Sequence, residues 1–167
     1  KEEDLVKIMN LQFKGPYQFF QACIPAMTEG GSIIQISSAT ATIMLENHAA
    51  YMGTKAGIDH VVRTVANEFG ERKIRANSIS PGLTSSPMTE AAMSAPGLED
   101  AFVKEYPLGR IGTSDDIAAM AVFLCSDECF LSGQNLQVNG GLTLRRNPNN
   151  VEMDLSISQA MAKLDSK

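Results

Sequence analysis

Between Ser32 and Pro81 the sequence switches from one hydrophobic period to another and back, which constrains the fold more than any other feature. Ser32 to Ser37 is apolar and β-branched, with Gly30-Gly31 ahead of it as a turn, and reads as a buried strand. From Tyr51 onward Ile58, Val61, Val62, Val65, Ala66 and Phe69 recur at helical spacing, and Gly70 marks the stop. Ile74 to Ser80 reads as a second strand, ended by Pro81-Gly82. Strands alternating with a helix predict an α/β chain.

The flanking segments fit that pattern. Leu5, Ile8, Met9, Phe13, Phe19, Phe20, Cys23 and Met27 form a helical stripe with interruptions near Pro16 and Pro25, which predicts a bent helix. Thr84 to Gly112 contains Pro87, Pro96 and Pro107 and reads as a long, loop-rich insertion, a place where function is expected. Thr113 to Leu124 has a hydroxyl residue at its start, Asp115-Asp116 in its first turn and apolar residues at helical spacing, so a helix packed on the sheet is expected. Gly133 to Val138 reads as a last short strand. The expected organisation is one domain portion over 1–144 and an appended tail over 145–167, where Leu155, Ile157, Met161 and Leu164 allow a small helix.

Within this frame Tyr51 and Lys55 stand four apart on one helix, so an ammonium can lie beside a phenol. A free phenol ionises near pH ~10, and a cation in a poorly solvated site makes it a usable acid and base nearer neutrality. Ser38, at the end of the first strand, is placed to hold a substrate oxygen beside that phenol; Ser37 is the alternative hydroxyl. The combination asks for carbonyl or alcohol chemistry.

Composition narrows the class. The 167 residues, 44% of them hydrophobic, suit one globular domain with a substantial core. A formal net charge of -5 without any long Lys/Arg run argues against nucleic acid or an anionic membrane as partner. Cys23, Cys125 and Cys129 lack metal-ligand spacing and fit a reducing compartment, so a cytoplasmic location is expected. No metal site is expected, and His48 and His60 have no partners suggesting a Ser-His-Asp triad.

The blocks Asn10-Leu11 with Gly15, Gly31 to Ser38, Tyr51-Met-Gly-Thr-Lys-Ala-Gly57, Ile79-Ser-Pro-Gly-Leu-Thr84, and Phe123 to Gly141 together resemble the short-chain dehydrogenase/reductase family. A Ser thirteen residues before Tyr51, and a Pro-Gly turn after the next strand, make the likeness specific. The resemblance implies a Rossmann-like, doubly wound parallel sheet. The glycine-rich turn that cradles the cofactor pyrophosphate in that family has no counterpart in the sequence, so the chain is expected to supply the second half of such a sheet. Ser86 stands where the family usually has Thr, and Asn139 where Asp commonly precedes Gly-Gly.

By resemblance, Tyr51 is the general acid when a ketone is reduced and the base in the reverse direction, with NAD or NADP as cofactor. Ser38 orients the reacting oxygen, Lys55 stabilises the phenolate and binds the nicotinamide ribose, and Asn10 anchors a proton-relaying water. Pro81, Gly82, Thr84 and Ser86 are expected at the nicotinamide, and Ser38, Ala39, Met44, His48, Met88 and Met93 around a mainly apolar small organic substrate. The methionines also read as core filling, and Asn10 as a local solution to backbone hydrogen bonding. The expected enzyme is an oxidoreductase, as a homodimer or homotetramer. Two further readings stay open: a cofactor-free binding or assembly protein of the same fold, and a dehydratase, isomerase or epimerase using the same Tyr-Lys pair.

Overall fold

The computed structural model describes residues 1–28 and 30–166, and of these all side chains except those of Met88 and Ala92. Helix α1 (Glu2–Met9) passes into α2 (Gly15–Ala26) through a π-helical turn at Asn10–Lys14. Pro16 has no N–H to continue the α-helical ladder, and the N–H of Gly15 reaches back five residues to the Asn10 carbonyl. The break therefore lies just before Pro16, whereas Pro25 sits in the last turn of α2 without ending it.

Strand β1 (Gly31–Ile36) is followed by α3 (Ala49–Glu68) and β2 (Ile74–Pro81), the expected strand–helix–strand unit. β1 and β2 pair in parallel from Gly31↔Ile74 to Ile36↔Ile79. Side chains alternate across this pair, so Ile33, Ile74 and Ala76 pack with Ile58, Val62 and Val65 of α3 and with Phe20 and Ile24 of α2. Gly57 lets the π turn approach α3 closely: a Cβ there would lie 3.2 Å from the Phe13 ring.

The segment expected to be loop-rich is more ordered than that. It contains a two-residue strand β3 (Thr84–Ser85), two short helices, α4 (Pro87–Met93) and α5 (Leu98–Val103), and strand β4 (Gly112–Thr113), which pairs in parallel with β3. Pro87, read as a breaker, opens α4, where a missing N–H goes unused by a helix anyway. Helix α6 (Ser114–Cys125) begins with a capping box in which Thr113 Oγ1 accepts from the Asp116 N–H and the Asp116 carboxylate accepts from the Thr113 N–H.

Strand β5 (Asn135–Val138) completes a three-stranded parallel sheet in the order β1-β2-β5. Leu124 of α6 packs with Ile79 and Cys129 on the sheet face opposite α3, so helices cover both faces. A third apolar cluster, Ala39, Phe102, Tyr106, Ile111 and Leu142, gathers beyond the C-terminal ends of the strands.

The chain ends in α7 (Asn150–Asp165), capped by Asn149, whose side chain accepts from the Glu152 N–H. Helix α7 packs against α5, and Ser156 Oγ donates to the Gly97 carbonyl at 2.7 Å. Among the described residues no helix is long and apolar enough to cross a membrane.

Candidate active site

Parallel strands deliver the chain to a common edge, and the residues that follow β1 and β2 there enclose a cavity of about 580 Å³ with the start of α3. Ser38 leaves β1 in an extended conformation and caps a short helical turn, Ala39–Ala41, by accepting from the Thr40 N–H at 3.2 Å. Its Oγ also lies 2.9 Å from Thr40 Oγ1. Tyr51 and Lys55 enter from α3, and Pro81, Gly82, Thr84 and Ser86 from the end of β2 and the segment that follows it; all six line the same cavity as Ser38.

Lys55 is 6% exposed, far below what a lysine ordinarily shows. Its Nζ donates to the Ile36 carbonyl at 2.8 Å and lies 5.5 Å from the centroid of the Tyr51 ring. Burial lowers the pKa of Lys55, and the Asp59 carboxylate one helical turn further along raises it. Asp59 is buried too. Burial raises its pKa, while hydrogen bonds from the Ser37 hydroxyl and the Asn135 amide, together with the Lys55 charge, pull it down.

Several expected positions behave differently from the sequence reading. Met44 is 67% exposed and contributes its backbone carbonyl rather than its side chain, because the loop after the Ala39–Ala41 turn faces it outward. Met93 lines a neighbouring cavity, which shares Ser86, Thr89 and Ser114 with the first. The Met88 side chain lies outside the described residues. Asn10 is exposed in the π turn and Gln12, two residues on, lines the cavity instead. Ala39 and His48 are both in the wall. His48 Nδ1 lies 2.7 Å from the Glu46 carbonyl, which can only accept, so that nitrogen carries the proton.

Gly82 lines the cavity and also packs closely inward: a side chain there would collide with the hydroxyl of Tyr106, whose ring fills the cluster beneath, and with Leu142.

Thr89 and Asn147 are among the residues of the site that escaped the sequence reading. Thr89 Oγ1 donates to the Thr84 carbonyl at 2.7 Å and receives the Ser86 N–H at 3.1 Å, which fixes the turn after β2. The Ser-x-x-Thr spacing was the available signal. Asn147 lines the cavity from the C-terminal segment and donates to the Met44 carbonyl at 2.9 Å. A partner 103 residues away leaves no local signal.

The cavity offers a nicotinamide nucleotide the hydroxyls of Thr84, Ser86 and Thr89, and the Tyr51 phenol with the Lys55 ammonium. Lys55 donates to one protein acceptor among the described residues, which leaves donor capacity for a ribose diol. These groups fit the nicotinamide end of NAD or NADP. Among the described residues no group of three or more His, Cys, Asp or Glu side chains is placed to hold a metal ion.

A family model described as enoyl-(acyl carrier protein) reductase matches residues 1–143. This chain belongs to the short-chain dehydrogenase/reductase family. A 3-oxoacyl-[acyl-carrier-protein] reductase of Thermotoga maritima is 33% identical over 147 residues, which are 86% of this chain and 59% of that protein. A short-chain type dehydrogenase/reductase from Mycobacterium ulcerans superposes with a TM-score of 0.87 at 32% identity, over 97% of this chain and 61% of the other. A gluconate 5-dehydrogenase from Burkholderia cenocepacia, solved with NADP and tartrate, superposes with a TM-score of 0.82 at 28% identity, over 87% of this chain and 58% of its own. The chain thus spans about three fifths of the length of such short-chain dehydrogenase/reductase relatives. Its parallel sheet with helices on both faces is the Rossmann-like core of that family.

Proposed function

We propose that this chain carries the proton-transfer and substrate-binding part of an NAD(P)-dependent oxidoreductase that interconverts a carbonyl and an alcohol on a mainly apolar small organic substrate. The observation that carries the reading is the convergence of Ser38, Tyr51 and Lys55 on one cavity at the C-terminal edge of a parallel sheet. Bound there, a nicotinamide supplies hydride in reduction and accepts it in oxidation. Tyr51 gives its proton to the carbonyl oxygen in reduction and recovers it from the hydroxyl in oxidation. Ser38 donates to the same oxygen where negative charge develops. Lys55, packed beside the Tyr51 ring, stabilises the phenolate and would donate to the hydroxyls of a bound nicotinamide ribose. Asn10, exposed in the π turn, suits proton exchange with solvent rather than contact with the reactant.

Ala39, Leu45, Ile117 and Leu142 give the cavity its apolar walls and favour an apolar substrate body. Pro81, Gly82, Thr84 and Ser86 are assigned to the nicotinamide, and a relative solved with NADP supports the cofactor class. We read residues 1–144 as the catalytic portion and 145–167 as a tail that closes the cavity through Asn147.

The test is turnover of a carbonyl panel with NADH or NADPH by the complete gene product, whatever its length. Tyr51→Phe should lose on the order of 10²–10⁴ in kcat. Equal turnover by that variant would overturn the assignment.

Association with a second copy follows the same reading. Helices α1 and α2 and the π turn between them leave Leu5, Val6, Leu11 and Phe19 exposed, and Leu5 and Phe19 belong to the apolar stripe of the sequence pattern. A homodimer or homotetramer through this surface and α3 would bury them. Light scattering on the native protein and on Leu11→Glu checks it: the variant should dissociate, and a monomeric native protein would refute the interface.

A further inference from the structure

A carboxylate stands behind the proposed catalytic residues without lining the cavity. Asp59 is 9% exposed and follows Lys55 by one helical turn on α3, as Lys55 follows Tyr51. Ser37 Oγ donates to Asp59 Oδ2 at 2.8 Å, and the Asn135 amide donates to the same oxygen. Ser37 sits between two residues of the site: Ile36, whose carbonyl holds Lys55, and Ser38, which lines the cavity. Asn135 opens β5. One carboxylate oxygen therefore joins the ends of two strands to the helix that bears the phenol and the ammonium. The other oxygen, Oδ1, is buried with no hydrogen-bond partner among the described residues, and the hydroxyls of Ser78 and Ser80 on β2 are buried likewise.

A carboxylate kept in such a place is costly unless its charge or its bonds serve something. A neutral amide would satisfy Ser37 and Asn135 equally well, so hydrogen bonding alone does not call for an acid. Among the described residues Lys55 is the one charged group that acts on Asp59, and Asp59 the one that acts on Lys55; the other groups facing the carboxylate are uncharged, Ser37 just after β1, Ser78 on β2 and Asn135 on β5.

We propose that Asp59 is a positioning residue, which locks Ser37, and so Ile36 and Ser38, to the helix carrying Tyr51 and Lys55 and places a negative charge one turn behind the Lys55 ammonium. Without that charge, burial alone governs Lys55 and favours its neutral form, which cannot stabilise a phenolate. The inference deepens the oxidoreductase reading and rests on it for the roles of Ser38, Tyr51 and Lys55.

Asp59→Asn keeps the acceptor oxygen that Ser37 and Asn135 use and removes only the charge. In protein labelled with 13C at the lysine ε-carbons, and with Lys55 assigned by Lys55→Met, the Lys55 titration midpoint should fall in Asp59→Asn. An unmoved midpoint in the folded variant overturns the proposal. Should the variant not fold, the native protein decides: the Lys55 ε-carbon and the Asp59 γ-carbon should share an inflection at the Asp59 midpoint, and independent titrations reject the coupling. Neither readout uses turnover. Failure of the oxidoreductase reading, seen as full activity in Tyr51→Phe, is thus separable from failure of the Asp59 role.

Discussion

Asn147 reaches back across the sequence to Met44, its side-chain amide donating to the Met44 carbonyl at 2.9 Å. The N–H of Asn150 adds a second tie to the same loop, donating to Glu46 Oε2 at 2.8 Å. The loop held in this way continues the cavity wall from Thr40 to Leu45, so the C-terminal segment closes the site from outside the sheet.

Asn147→Leu keeps the volume and removes the bond. It leaves the Met44 carbonyl without its partner and should cost about 1–2 kcal/mol in urea unfolding. The loosened wall should also raise KM more than it lowers kcat. A loss of stability with KM unchanged would assign the tie to folding alone.

Gly82→Ala tests whether that glycine serves the core or the cofactor. Its Cβ would meet the Tyr106 hydroxyl and lie 3.1 Å from Leu142, an overpacking worth about 1–3 kcal/mol. Tyr106→Phe removes the nearest clashing atom, leaving the ring Cζ at 3.0 Å, at the cost of the 3.3 Å hydrogen bond to the Leu83 carbonyl. The double variant should therefore be more stable than the sum of the two single losses implies, as read by thermal or urea unfolding. Strict additivity would mean that Tyr106 is not what excludes a side chain at position 82.

What the sequence made legible follows the range of the interaction. Strand, helix and strand from Ser32 to Pro81 could be read because periodicity is local: Ile58, Val62 and Val65 mark the buried face of α3 wherever the sheet lies. Ser38, Tyr51 and Lys55 could be read because two are four apart on one helix and the third closes the preceding strand. The contributions of Asn147 and Asp59 were hidden. Asn147 depends on a loop far away in sequence, and Asp59 on strands that meet it only in the folded sheet. Met44 was misplaced because composition cannot tell which way a loop side chain turns. Helices α4 and α5 were missed since Pro87 and Pro96 carry the same letter whether they open a helix or break one.

The tail should loosen in acid. The Arg146 guanidinium makes two bonds to Glu152, at 2.7 Å and 2.6 Å, and with the Asn149 N–H holds the Glu152 carboxyl down at about 2 from an ordinary 4.5. A depressed carboxyl stabilises the folded state above its ordinary value, and the stabilisation is lost as pH falls from about 4.5 toward about 2. The pair is partly exposed, so the effect is modest and weakens with salt. Hydrogen exchange in α7, corrected for intrinsic rates, should show protection falling across that window. Glu152→Gln should abolish the pH dependence; a variant that keeps it would place the acid-sensitive group elsewhere.

Lys55 and Asp59 should behave as a coupled buried pair in stability as well as in titration. Lys55→Met leaves a buried carboxylate without its cation, and Asp59→Asn leaves a buried ammonium without its anion, whereas the double variant leaves neither. The two single losses should therefore exceed the loss in the double variant, with a coupling on the order of 0.5–3 kcal/mol in urea unfolding. The pH dependence gives the sign. Burial raises the Asp59 pKa, so its contribution to stability is full below the ordinary carboxylate range and lost as pH rises through the folded-state value. With Lys55 removed, that loss is no longer offset by a neighbouring cation. Lys55→Met should consequently come closer to the native protein at pH ~4 than at pH ~8, while in the Asp59→Asn background the same substitution shows no such narrowing. A gap that stays constant with pH in both backgrounds would mean that the two charges do not act on each other.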